Sequence, residues 1–240
     1  MGAVPTRSER LAARLAGAAY LIALPLSFFS EFYVLGAVID PNSMSETAHR
    51  LQEHQQLFRL GTASNFLVFV ADGVLIASLY WVLRRVNPFA ALLALVWRVL
   101  ETALLFAALV FDAQAARLMG GSSYLSGQSP TQLALLARLA ISGHGAAYNF
   151  ALVLAGLSST VFALLWWRSG YIPKWLAGFG VVASILLALG TFIAIPFPAA
   201  RSVITSDVYG DPIGIFELVL GLWLLFIGLP KDSARARPAV

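Results

Sequence analysis

The stretch VWRVLETALLF, Val96–Phe106, sits inside a long apolar run yet carries Arg98 and Glu101. Arg98 comes ten residues after Pro88, about 15 Å of helical rise. Glu101 follows at i+3, on the same helical face. A charge near the centre of a bilayer costs about 2.5–3.5 kcal/mol. If the run crosses a membrane, the pair must face the interior of a helical bundle. Whether it does cross is decided by the rest of the chain.

The chain has 240 residues, 59% hydrophobic and 12% charged, with a mean hydropathy of +0.79. Soluble domains carry roughly 25% charged residues. So small a supply cannot cover a water-facing surface, whereas lipid solvates the outside of a spanning bundle. Cysteine is absent, which excludes disulfides, CxxC redox chemistry and thiolate metal sites. The net charge of +4 is spread thinly between apolar spans and fits a positive-inside bias better than nucleic-acid binding. The apolar part of the N-terminus, Leu15–Ile39, is too long for a signal-peptide core of roughly 7–15 residues. It is expected to be a retained first span.

Six segments reach the roughly 20 residues that a helix needs to span a bilayer: Leu11–Ile39, Phe58–Leu83, Pro88–Phe111, Ser142–Trp167, Pro173–Ile195 and Pro212–Leu229. The fold class is therefore all-α: a six-helix membrane domain over 11–229, between a short N-terminal segment (1–10) and a polar, disordered tail (230–240). Pro88, Pro173 and Pro212 are expected near helix starts, where a missing N–H costs nothing. Lys and Arg divide ten to five between the two sets of helix ends, with Arg7, Arg10, Arg14, Arg84, Arg85, Arg168, Lys174, Lys231, Arg235 and Arg237 on the richer side and Arg50, Arg59, Arg117, Arg138 and Arg201 on the other. Both termini are thus expected on the cytoplasmic side of the membrane. Outer links are long, and Ser43–Glu46 and Ser129–Gln132 fit capping boxes. These predict outer helices over Met44–Gln56 and Pro130–Ala140. Trp81, Trp166, Trp167 and Trp175 are expected to form an interfacial belt, with Trp97 and Trp223 packed deeper.

Further ionisable or polar residues share the predicament of Arg98 and Glu101: Glu31, Arg59, Asp72, His144 and Glu217, with Asn65, Tyr148 and Asn149 at compatible depths. One polar cluster in the outer half is the expectation. Its candidate ligand-binding residues are Glu31, Arg59, Arg98, Glu101, His144, Tyr148, Asn149 and Glu217. Structural ion pairing, Arg98 with Glu101 and Arg59 with Glu31 or Glu217, stays open beside it. His144, Glu31 and Glu217 have the donor types of a metal site, but there is no HExxH, and His49 and His54 are five apart; no metal or other cofactor is expected. Adjacent helical residues do not face one another, which counts against Ser142 and His144 as a nucleophile pair. The glycines flanking His144 point to close helix approach or a loosened helix start. Nothing resembles a phosphate-binding loop.

The blocks FRLG (58–61), VNP (86–88), WRVLE (97–101), SPTQL (129–133), SGYIPKWLAGFG (169–180) and ELVLGLWLLFIGL (217–229) occur in this order. With them the chain, from about residue 10 to 229, resembles the domain of unknown function 4386 family of bacterial multi-pass membrane proteins. The resemblance implies an integral bacterial membrane protein and brings no activity, cofactor or catalytic residue with it. From the residues, binding or transport of a small amphipathic ligand ranks first, in contact with membrane lipids. An intramembrane enzyme using His/Glu acid–base chemistry on a lipid or isoprenoid, and a structural or regulatory membrane partner, are the alternatives.

Overall fold

A computed structural model describes residues 4–40, 43–119, 127–197, 199 and 206–230. It is all-α, with no strand among the described residues. The helices are α1 (Arg7–Ser27), α2 (Leu35–Val38), α3 (Met44–Glu53), α4 (Gln55–Leu83), α5 (Pro88–Met119), α6 (Pro130–Ser169), α7 (Lys174–Ala194) and α8 (Ser206–Leu222). A π-helical stretch, Phe28–Val34, joins α1 to α2, and a second, Trp223–Ile227, prolongs α8. Six stretches are long and apolar enough to cross a membrane, the first running unbroken over Arg7–Val38. Large apolar side chains such as Leu60, Phe66, Leu139, Phe192 and Phe226 are exposed along them. Water would penalise that surface and lipid does not, so the chain is a membrane protein.

Helix lengths correct the expected boundaries. α5 runs on to Met119 and α6 begins at Pro130, so most of the expected outer link Asp112–Ile141 is helix. The separate outer helix expected at Pro130–Ala140 is instead the first part of a 40-residue α6, about 60 Å long. Hydropathy marks where lipid contact ends, whereas DAQAARLM after Phe111 consists mostly of good helix formers and continues the helix beyond it. The same continuity shows that the glycines around His144 do not mark a helix start. Pro212 lies inside α8, not at its start. Spanning helices tolerate proline where neighbouring groups satisfy the freed carbonyl. The tail from Lys231, and Arg201, lie outside the described residues.

The chain divides into two compact units. The first comprises Met1–Ile22, Ala71–Thr102 and Asn149–Val240; the second comprises Ala23–Val70 and Ala103–Tyr148. In the first, Leu75, Leu79 and Leu83 repeat at i+4 along α4 and pack with Phe162, Trp166, Leu176, Phe216 and Leu220. Lipid tails are as apolar as leucine, so close packing must supply the attraction between helices. Small residues permit it. A Cβ on Gly17 would lie 2.7 Å from the Gly221 carbonyl oxygen, and one on Gly156 would lie 2.5 Å from the Ala188 nitrogen. Trp166 is fully buried and corrects the expected belt, while Trp81, Trp167 and Trp175 are exposed. Consecutive helical residues point about 100° apart, and here Trp166 turns into the core beside Tyr171 while Trp167 points outward. α6 ends where Gly170 adopts φ 64°, a left-handed stop suited to glycine.

In the second unit Val34, Val38, Leu51 and Phe58 form the core. The short α3 is capped by Ser43, whose hydroxyl accepts from the Glu46 N–H at 3.2 Å. It is tied back through Arg50 to Glu46 (2.8 Å) and Asp40 (3.3 Å). At the start of α6, Ser129 and Gln132 exchange side-chain and backbone hydrogen bonds (3.3 and 3.4 Å), the reciprocal box read from the sequence.

Candidate functional site

In the first unit, Arg98 of α5 is the centre of a buried ionic group. Its Nη1 lies 3.2 Å from Glu101 Oε2 and its Nη2 lies 3.5 Å from Glu217 Oε1 on α8. Nη1 also donates to Ser159 Oγ of α6 at 3.5 Å. Asp72 of α4 and Tyr20 of α1 are buried within electrostatic range of the same charges. Arg98 Nε has no hydrogen-bond partner among the described residues. The guanidinium stays charged at any accessible pH, so one fixed cation faces three carboxyls in an apolar interior.

In the second unit, the polar interior is built around His144 of α6. Nδ1 lies 3.0 Å from Asp112 Oδ2 on α5, close enough for a hydrogen bond though not aligned for one. Nε2 lies 3.6 Å from Glu31 Oε2. Asn65 Nδ2 of α4 donates to Glu31 Oε1 at 2.9 Å, and the Ser30 hydroxyl donates to Asn65 Oδ1. Tyr148 stacks on the imidazole at 5.8 Å with planes 12° apart. The backbone makes this arrangement possible. Pro25 interrupts the hydrogen-bond ladder of α1, and the chain then widens into the π-helical turn that carries Ser30 and Glu31. The Ser64 hydroxyl donates to the Leu26 carbonyl at 3.1 Å, which leaves the single Ser30 hydroxyl hydrogen for Asn65. On α6, a Cβ at Gly143 would meet the Phe111 ring at 2.8 Å. The glycine next to His144 thus lets the neighbour of Asp112 press close, as the close-approach reading expected.

The family model for Domain of unknown function (DUF4386) matches residues 15–228. The chain belongs to this family. No curated protein and no solved structure matches it significantly. In this DUF4386 member buried ionisable residues gather in these two polar groups.

Within each unit the expected residues form a group of their own. Arg98, Glu101 and Glu217 belong to the first group; Glu31, His144 and Tyr148 belong to the second. Asn149 is half-buried at the start of the last segment of the first unit. Arg59 is exposed on α4 and enters neither group, because its position turns it away from the face that carries Phe58 and Ser64. The metal set weighed from the sequence does not assemble, and no group of three or more candidate ligands is arranged to hold a metal among the described residues. Asp112 is the principal residue that sequence reading missed. The hydropathy boundary at Phe111 puts it in a loop, yet the eleven residues from Glu101 are close to three helical turns, so a helix prolonged past Phe111 carries Asp112 on the stripe of Glu101. His49 and His54 are exposed, and His49 meets Glu53 at 3.5 Å.

Proposed function

We propose that this DUF4386 protein binds a small amphipathic cation at the Arg98 group and moves it across the membrane. The observation that carries this reading is the charge count. Asp72, Glu101 and Glu217 share one guanidinium, and no second cation pairs with them among the described residues. A like-charge excess in an apolar interior favours any cation that can enter. A ligand with an apolar body loses little on leaving lipid, while its charge meets the carboxyls. Calorimetric titration of the protein in lipid nanodiscs with tetraphenylphosphonium tests this. Glu217→Gln and Asp72→Asn should each weaken binding about tenfold, the worth of one charge-assisted contact. Equal affinity in wild type and both variants would end the proposal.

The distribution of Lys and Arg supports an orientation with both termini cytoplasmic in a bacterial inner membrane. Reporter domains fused to either end check it: activity only on the periplasmic side would reverse the assignment. A second reading has one specific observation in its favour, the 3.0 Å approach of Asp112 to His144, which resembles a base held by its orienting carboxylate. Such a pair serves acid–base chemistry on a lipid or isoprenoid. Lipid profiles of a deletion strain complemented with wild type or with His144→Ala separate the readings. A profile restored by His144→Ala removes the enzyme.

A further inference from the structure

We propose that His144, Glu31 and Asp112 form a proton-exchange site of their own, in which a proton passes between His144 Nε2 and Glu31 Oε2. The Arg98 reading is not required for it. Three separate helical stretches bring the groups together: the π-helical turn supplies Glu31, α5 supplies Asp112 and α6 supplies His144. Each flanking group has a defined task. A small ring rotation aligns the Nδ1–H with Asp112, 3.0 Å away, and this bond keeps one proton on Nδ1 throughout. The exchanged proton is therefore the one on Nε2. Asn65 holds Glu31 through Oε1, which leaves Oε2 facing the imidazole at 3.6 Å. The Ser30 hydroxyl fixes the amide so that its NH2 side meets the carboxylate. Tyr148, on the same helix as His144, lies nearly parallel to the ring with centroids 5.8 Å apart.

The step balances without any other reactant. The Nε2–H bond breaks and an O–H bond forms on Glu31, turning imidazolium and carboxylate into neutral imidazole and carboxylic acid; the reverse restores both. A rotamer change of Glu31 or one bridging water spans the 3.6 Å gap. The titratable groups facing His144 are Glu31 and Asp112 from the other elements and Tyr148 from its own. Chains of acid and imidazole within a membrane serve proton movement as a general chemical pattern. The arrangement has its donor, its acceptor and a fixed tautomer.

Infrared difference spectroscopy on the full chain in nanodiscs, stepped from about pH 8 to about pH 5, tests the proposal. His49→Gln and His54→Gln remove the exposed imidazoles, so any remaining ring signal belongs to His144. A carboxylic-acid band and an imidazole band should change together on the step. Glu31→Gln should abolish the carboxylic-acid component, and His144→Gln the ring component. Spectra indifferent to both substitutions would overturn the site. If Glu31→Gln does not fold, isotopically labelled histidine in the folded protein decides: a pH-linked ring band that moves with the label supports the site, and its absence overturns it.

Discussion

The two units solve the same problem, polar groups in an apolar interior, with different chemistry. In the first, an obligate cation meets a carboxyl of its own helix, a carboxyl of α8 and a hydroxyl of α6 at 3.2–3.5 Å. In the second, a histidine is placed between two carboxyls and backed by the amide of Asn65 and the hydroxyl of Ser30. An arginine cannot shed its charge, so removing it strands its partners. A histidine can, and each of its neighbours has another polar contact or a neutral form. The packing differs in one respect: the first unit has glycines set against backbone, Gly17 and Gly156, besides those set against side chains, whereas Gly61 and Gly143 of the second meet side chains. A fixed charge in a tightly packed unit suits holding a ligand, and an adjustable charge suits passing a proton.

The largest expected effect tests the first half of that contrast. Arg98→Ala leaves Asp72, Glu101 and Glu217 without their cation, and breaking a buried pair in this way costs about 3–5 kcal/mol. His144→Gln keeps a polar group of similar reach and should cost only about 1–3 kcal/mol, the range for an unsatisfied polar group. Unfolding midpoints in detergent, compared at one lipid-to-protein ratio, show whether the order holds. Equal losses would mean that the two interiors are energetically alike and that the distinction drawn here is wrong.

Packing gives the next contrast. A Cβ on Gly156 would come within 2.5 Å of the Ala188 backbone nitrogen, which cannot yield without moving α7. Overpacking of this kind costs typically about 1–3 kcal/mol. A Cβ on Gly61 would meet the Val34 side chain at 2.9 Å, and a side chain can rotate away. Gly156→Ala should therefore lower the unfolding midpoint well beyond Gly61→Ala. The reverse order would place the tighter packing in the second unit.

How far the sequence disclosed this follows from what each signal measures. Apolar length disclosed six spans because burying a peptide group in lipid imposes a minimum number of helical residues. Arg98 and Glu101 were legible as partners because i+3 spacing brings them onto one face, and their approach needs no knowledge of the other helices. Glu217 joining Arg98 and Glu31 joining His144 needed tertiary contacts that spacing does not encode. Asp112 was hidden by a hydropathy boundary, since an α-helix persists on propensity after lipid contact ends. The π-helical turn at Phe28–Val34 was not legible either. Pro25 marks a break in the ladder, but proline alone does not say whether the chain kinks or widens.

A smaller effect concerns helix starts in the second unit. Ser129→Ala removes the acceptor for the Gln132 N–H, and loss of such a cap costs about 1 kcal/mol. The cost is local. Amide exchange should quicken in the first turn of α6 and stay unchanged around His144, whereas quickening throughout the helix would show that the cap supports the second polar group as well. α7, in the first unit, starts at Pro173 with no side-chain cap, so it offers the uncapped reference.

The smallest expected effect returns to the first unit, at the turn between α6 and α7. Burial raises the Tyr171 phenol above its ordinary value near 10; the negative charge of Glu9 adds to the rise, and Arg85 opposes it. Glu9 is itself buried and paired with Arg85 at 2.6 Å, and it closes the first turn of α1 with Thr6. A phenol whose folded value is raised contributes stability that is full below its unfolded value and is lost as pH rises through the folded one. Stability should thus decline on the alkaline side of about pH 10. Tyr171→Phe should make that decline shallower. Unfolding midpoints of the two proteins, taken from about pH 9 to about pH 11, isolate the contribution of this one group from other titrating residues. Parallel curves would mean that Tyr171 ionises as freely in the folded chain as in the unfolded one. In that case the turn is open to water, and the tight packing that distinguishes the first unit stops short of its edge.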